Sequence, residues 1–391
     1  MPAAQPLARK LRLGTATSID AGRCVPCSLV TDLTPEALSA GLRDAASHDD
    51  AGSLVVLLAG QPDPRPLTPV LRAADLPLIG GCFPKVFVDG QVLESGGVVL
   101  ALPTVLQTAR LDLADDAGTQ HDALAQHLHL SDGPATVLTF FDAASSGIEA
   151  YLERLYDLLG PEPGYAGGGA GGLDLVPRAC VIDNDGVHEG AAVVGLLEAG
   201  STAAVGHGWA AAGGEARVTQ STGRRIQRFD HRPASEVYRE LVAAQGGGAV
   251  EEAALLSYPL GVVQVDGDSV VRDVIDLDGD DLVLVAEISR WAVLQLLHGD
   301  VDSLLDAAGT VAGQLASAVR ADRPGLLFDC ISRTLHLQER FADELRLFAE
   351  VGPFVGAATI GEVCNVGERF IDLYNKTVVA VAFTPEHDRD A

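Results

Sequence analysis

Lysine is nearly missing from this sequence. Only Lys10, Lys85 and Lys376 occur among 27 basic residues, against 54 Asp and Glu, and the formal net charge is -27. A surface this acidic repels phosphate backbones, so a basic nucleic-acid-binding face is excluded. Docking on anionic lipid is disfavoured for the same reason. Long apolar runs are also missing. The least polar stretch, residues 190–214, is rich in Gly and Ala but contains Glu198 and His207. It lacks the ~18 unbroken apolar residues that a spanning helix needs. Residues 1–13 carry basic side chains with no apolar segment behind them, which is not the pattern of a secretory signal. The expectation is a soluble, cytoplasmic protein whose partners are neither nucleic acid nor membrane. Cysteine is sparse, six in 391 residues, too dilute for a disulfide scaffold. Cys24 and Cys27 form one C-x-x-C pair, but a structural zinc needs a second pair and a thioredoxin-like motif needs a preceding βαβ pattern. Ordinary reduced cysteines are the expectation, with redox activity of that pair left open.

What is present is apolar and repetitive. The hydrophobic fraction is 47%, far above that of a disordered acidic chain. The length suggests two or three domains at ~150 residues each. Three segments share one plan. Each starts with a short apolar run read as a buried strand: residues 54–58, 136–141 and 325–328. A helical pattern follows. Ile148, Tyr151, Leu152, Leu155, Leu158 and Leu159 mark one helical face in the second segment, and Phe341, Leu345 and Phe348 do so in the third. Next comes a run of small residues expected to form a turn: Ile79-Gly80-Gly81-Cys82, residues 164–172, and residues 355–362. A hairpin follows, signalled by Asp89-Gly90 and Asp185-Gly186. Each segment closes on an apolar strand at 97–102, 191–196 or 377–382.

Other elements lie between the second and third segments. Residues 216–230 alternate around Thr222-Gly223 as a hairpin. Pro233 opens a helix with Val237, Leu241 and Val242 on one face. Residues 258–288 read as strands with turns at Asp266-Gly267 and Asp278-Gly279. Leu304, Ala308, Val311, Leu315 and Val319 mark a long amphipathic helix. The fold class expected is α/β: two layered α/β domains, 1–210 and 211–391, with mixed, largely antiparallel sheets.

Motifs for chemistry are few. The glycines at 167–172 match neither the P-loop nor the dinucleotide fingerprint. No G-x-S-x-G and no H-E-x-x-H occurs, and no catalytic set or metal-ligand set is read. The richest region is the last third. Asp329 and Arg333 flank Cys330 at the end of an apolar strand, Glu339 and Arg340 follow, and then come Thr359, Gly361, Glu362, Asn365, Tyr374 and Asn375. Charged groups beside apolar strands are either paired internally, as Asp329 with Arg340 would be, or face a cavity.

These residues carry a family resemblance. Pro324 to Cys330, Glu339-Arg340-Phe341, Gly361-Glu362 and Tyr374 to Val379 resemble the C-terminal FIST domain, as do Tyr258 to Val262 with Val271-Arg272, and Val218-Thr219 with Phe229-Asp230. The first half is similar to the FIST N domain through Leu78 to Cys82 and Gly167 to Ala170. Phe83-Pro84-Lys85-Val86-Phe87 departs from the small and hydroxyl residues usual after the first glycine turn. Cys364 and Asn365 also replace residues usual after Gly361-Glu362. The resemblance implies a sensory domain for a small ligand, with amino acids as the suggested class, and an output through a partner such as a kinase. Ligand-binding residues expected on this basis are Arg272, Asp329, Arg340, Gly361, Glu362 and Asn375. Arginine would hold a carboxylate, while a carboxylate and an amide would hold an amino group. The resemblance also implies a second reading, a haem-binding nitric-oxide sensor working with a histidine kinase, for which His207 and His231 are candidate axial ligands. A third is an enzyme using the same pocket.

Overall fold

A computed structural model describes residues 26–60, 63–246, 252–264, 269–365 and 370–384. Cys24, residues 1–13 and the Asp266-Gly267 turn lie outside them. Three six-stranded sheets share one strand order. In each, a unit's first strand pairs in parallel with its second and antiparallel with its last. The first strands are Ser53–Ala59, Thr136–Asp142 and Gly325–Cys330. The second strands are Leu78–Phe83, Gly164–Ala170 and Phe354–Thr359. The last are Gly96–Leu102, Ala191–Leu197 and Val378–Phe383. A further strand, Cys27–Val30, Gln107–Asp112 or Ser201–Gly206, covers each last strand. The expected α/β class with mixed, largely antiparallel sheets is therefore what the chain forms.

The hairpins do not stay in their own units. Val86–Val88 with Gln91–Leu93 leaves the first unit and pairs with Phe354–Thr359 of the third. The second unit's hairpin, Val181–Asp183 with Gly186–His188, pairs with Leu78–Phe83 of the first. The third unit's hairpin, Glu362–Cys364 with Asp372–Tyr374, pairs with Gly164–Ala170 of the second. The exchange is cyclic, so the units are related as by a threefold axis. Equivalent backbone bonds mark it: Cys82 N to Cys180 O at 2.8 Å, Gly169 N to Gly361 O at 2.9 Å, and Ala358 N to Lys85 O at 2.9 Å. One buried apolar core draws on all three units. At its centre Phe140 packs edge-on against both Phe83 and Phe328, each at 5.8 Å between centroids.

The runs of small residues are strands, not the turns expected. Glycine usually punctuates loops, but here it permits close approach of a parallel partner. A Cβ on Gly80, Gly167 or Gly356 would lie 1.9, 1.8 or 1.8 Å from the carbonyl oxygen of Val56, Thr139 or Leu327. Helical periodicity was the more faithful signal. Helix Ile148–Leu159 buries Ile148, Tyr151, Leu152, Leu155 and Leu159, and Phe341–Val351 buries Phe341, Leu345 and Phe348. The Asp89-Gly90 turn has φ of 48° and 73°, as a two-residue hairpin turn of the right hand requires. The Asp185-Gly186 turn is shifted by one residue, since Asp183 pairs with Gly186.

The region between the second and third units forms an eight-stranded sheet built on the long strand Ala210–Thr222, backed by helix Ala234–Ala244. The expected hairpin is there, with Thr222 opposite Arg225. Helix Val301–Leu315 then returns the chain to the third unit, burying Leu304, Ala308, Val311 and Leu315.

The glycine contacts give a paired prediction. Gly356→Ala would place its methyl on the Leu327 carbonyl and should destabilise the protein by ~3 kcal/mol or more. Gly313, exposed in helix Val301–Leu315 with nothing within 4 Å of an added Cβ, should gain about 0.5–1 kcal/mol on Gly313→Ala. Urea midpoints of the two variants check both signs.

Candidate functional site

The three units allow an internal comparison, because strand register equates their positions. Leu58, Phe141 and Asp329 are equivalent, each two residues beyond the position facing a close-approach glycine. Val86, Val181 and Glu362 are equivalent, each the first residue of an exchanged hairpin. Ser95, Gly190 and Lys376 are equivalent, each two residues before the one that pairs with Leu58, Phe141 or Asp329. The third unit thus carries two carboxyls and an ammonium where its sister units carry apolar or small residues. A shared backbone does not require those charges, so they answer to something specific to this unit.

The charges lie in one buried cluster. Asp329, Arg333, Glu344, Glu362, Asn375 and Lys376 are all 0% exposed, and Asp273 is 2% exposed. Arg333 is held on helix Ile331–Leu337, one turn beyond Asp329, with Nε 3.2 Å from Asp329 Oδ1 and Nη2 2.8 Å from Glu344 Oε1. It also donates to the carbonyls of His207 at 2.6 Å and Leu304 at 3.2 Å. Lys376 Nζ lies 3.0 Å from Asp273 Oδ1, donates to Leu256 O at 3.1 Å and sits 5.3 Å from the centroid of the Trp209 ring. Its φ of 51° is unusual for a non-glycine residue. Ser332 Oγ donates to Asp273 Oδ2, and Thr359 Oγ1 donates to Glu362 Oε1 at 2.9 Å. Asn375 Oδ1 accepts from Asp273 N at 3.3 Å.

The cluster is under-satisfied. With the carboxyls ionised, both oxygens of Asp329, Oε2 of Glu344 and Oε2 of Glu362 are buried without a hydrogen-bond partner, a cost of about 1–3 kcal/mol per group that a proton held between Asp329 and Glu344 relieves. Four carboxyls (Asp273, Asp329, Glu344, Glu362) meet two cations (Arg333, Lys376). Burial holds the Asp329 carboxyl well above the usual range; the Glu344 charge adds to this, and Arg333 opposes it. Burial likewise raises Glu362, against the Thr359 hydrogen bond. Burial alone would lower Arg333, but Glu344 and Asp329 hold it above its ordinary value.

The residues expected from sequence divide between this cluster and its surroundings. Asp329, Glu362 and Asn375 meet there. Gly361 forms the turn leading into Glu362, with φ of 85°, and an added Cβ would lie 3.6 Å from Asn375 Nδ2. Arg272 ends strand Ser269–Arg272 next to Asp273 and donates to Leu373 O at 2.9 Å. Arg340 does not join. It lies in the 3-10 turn Gln338–Arg340, its side chain 52% exposed and bound to Asp343, so the partner of Asp329 is Arg333. Sequence pattern alone does not place Glu344, Lys376 or Asp273 in a site. The signals available were the i, i+4 spacing of Asp329 and Arg333, and a lysine in a sequence that has only three.

The other candidates fall elsewhere. His207 Nδ1 accepts from Trp209 N at 2.9 Å, and His231 is exposed. Among the described residues no group of three or more His, Cys, Asp or Glu could hold a metal ion. Cys82, Cys180, Cys330 and Cys364 are free and buried, and burial pushes the Cys82 and Cys364 thiols up to about 12. Cys27 is disulfide-bonded, unlike the reduced thiol expected. A surface cleft of about 710 Å³, lined by Thr104, Val105, Gln107, Asp132 and Glu198 among others, shares no residue with the cluster. No helix among the described residues is long and apolar enough to cross a membrane.

The structure is thus a three-unit α/β assembly with charge buried in its third unit. The chain belongs to the FIST family. The FIST N domain matches residues 39–232 and the FIST C domain residues 234–365. FIST domains are small-ligand-binding sensory domains of signal transduction. No curated protein matches the chain. The two matches meet at the start of helix Ala234–Ala244.

The raised carboxyls fix the sign of a pH effect. Folded Asp329 and Glu362 keep protons that the unfolded chain releases near pH 4. Their contribution to stability is full below that pH and is lost as pH rises through the raised folded values. Carboxyls held below their usual range, such as Asp116 and Asp300, add stability as pH rises, and Asp329 and Glu362 pull the thermal midpoint the other way above about pH 4. A double variant, Asp329→Asn with Glu362→Gln, should therefore gain midpoint relative to wild type as pH climbs in the same titration. An unchanged slope would show that these carboxyls do not hold the protons.

Proposed function

We propose that this protein is a cytoplasmic sensor of a small polar metabolite of the amino-acid class, acting through a partner protein such as a kinase. The observation that carries the reading is the polar conversion of the third unit, where Asp329, Glu362 and Lys376 occupy positions that are apolar or small in the other two. Arg272 lines the ligand site from its half-buried strand end. Asp329, Glu362 and Asn375 support that site from the ionic core behind it. A strongly acidic exterior favours approach of a zwitterion or cation over a phosphate.

Thermal unfolding against a panel of amino acids, sugars and nucleosides tests this. At a hundred times its Kd a ligand adds ~2.7 kcal/mol, so a member of the amino-acid set should raise the midpoint by several degrees. Arg272→Gln should abolish the rise. A panel in which only sugars or nucleosides act would reject the amino-acid class. A panel with no effect at all would reject the sensor reading.

A further inference from the structure

The surface cleft of about 710 Å³ has fixed walls and one sign of charge. One wall is Thr104 with Val105, just past the last strand of the first unit. Ser53 Oγ donates to Thr104 O at 2.6 Å and pins it. The other wall is residues 131–134, which lead into the first strand of the second unit. Gln107 holds the approach to that wall, donating to His129 O at 3.0 Å and accepting from His129 N at 2.7 Å. Asp132 and Glu198 line the cleft, and no Lys, Arg or His is among its described lining residues. Both carboxylates are exposed, and neither is in an ion pair among the described residues. Val105 on one wall is 64% exposed, and Leu130, next to the other wall, is 39% exposed.

One part of the same chain matches that chemistry. Residues 7–13 read Leu-Ala-Arg-Lys-Leu-Arg-Leu, and residues 1–19 contain no Asp or Glu, against a net charge of -27 for the whole. These residues lie outside the described ones, but the point where they join the fold is set. Strand Cys27–Val30 runs antiparallel to Gly96–Leu102, with Cys27 opposite Leu100, and Pro26 O accepts from Ala101 N at 2.9 Å. The chain therefore enters the fold beside Ala101, three residues before the cleft wall at Thr104, ~10 Å along an extended backbone. The twelve residues 14–25 can span up to ~40 Å. A tether this short gives an effective concentration on the order of millimolar, so a weak contact is enough to fill the cleft.

We infer that the cleft seats residues 7–13 of this chain, with Arg9, Lys10 and Arg12 against Asp132 and Glu198 and the leucines against Val105 and Leu130. The segment then ties the end of the first unit to the loop that enters the second. An acidic occupant is repelled by two carboxylates with no cation beside them. The same segment from a second copy has the right charges but lacks the tether, and repulsion between two chains of net charge -27 opposes it.

The test uses the full chain and its scarcity of lysine. A water-soluble carbodiimide joins an amine to a carboxylate in direct contact. Lys376 is buried, and Lys85 Nζ lies 3.4 Å from Glu94 Oε1, so a Lys85–Glu94 link is the internal control. In an equal mixture of unlabelled and isotope-labelled chains, mass spectrometry should find Lys10 joined to Asp132 or Glu198 within one chain. Lys10 joined to other carboxylates, or to none while the Lys85–Glu94 link forms, overturns the inference. Links between labelled and unlabelled chains also overturn it, in favour of a second copy as the occupant. Trypsin gives an independent measurement, because it cuts after Arg9, Lys10 and Arg12. Asp132→Asn with Glu198→Gln should speed cleavage there about threefold or more, the loss of two exposed ion pairs. Both substitutions fall on exposed side chains, and the variant's thermal midpoint checks that the fold is intact. Cleavage at the wild-type rate overturns the pairing with these carboxylates.

Discussion

The close approach of two parallel strands at a glycine sets the geometry of this molecule three times over. At Gly80, Gly167 and Gly356 the second strand of a unit presses against a carbonyl of the first so tightly that no Cβ fits. Small side chains around these points let three sheets converge on one core, with Phe83, Phe140 and Phe328 filling the centre. Packing at that density tolerates few alternatives. The exchanged hairpins, the shared core and the alignment of equivalent positions all follow from these three contacts.

Against that repeated frame the third unit is the exception. A chain that builds the same backbone from Leu58, Val86 and Ser95, or from Phe141, Val181 and Gly190, has no structural need for Asp329, Glu362 and Lys376. Burying them is costly: replacing paired buried charges by apolar groups is often neutral or stabilising, whereas removing one partner alone is not. Two copies of the apolar solution sit in the same chain. The charged version is retained in the unit that adjoins Arg272 and the inserted sheet.

The sequence carried part of this plainly. The three-unit plan was legible because strand and helix periods repeat, and the faces marked by Ile148, Leu152 and Phe341 are the ones buried. The glycine runs were misread because a strand with no side chains looks like a turn until its partner, more than twenty residues away, is in view. Hairpin exchange is invisible to local pattern for the same reason: nothing near Val86 signals that it will pair with Ala357. Within the site, Asp329, Glu362 and Asn375 stood out as polar groups beside apolar strands. Arg340 looked equally apt, but the 3-10 turn at Gln338–Arg340 aims it outward, and Arg333 takes its place one helical turn after Asp329. The pairing of Lys376 with Asp273 spans about a hundred residues and has no sequence signature.

The cyclic exchange of hairpins has a consequence for how the chain reaches its fold. No unit can finish its own sheet; the first needs strands from the second, the second from the third, and the third from the first. The last of these closures joins Val86 to Ala357 and cannot form until most of the chain is available. Loop-closure entropy must be met before those non-local contacts repay it, which slows closure of the ring. Until the third unit arrives, Gly164–Ala170 presents an unpaired edge, and the polypeptide is exposed to misassembly for as long as the ring stays open.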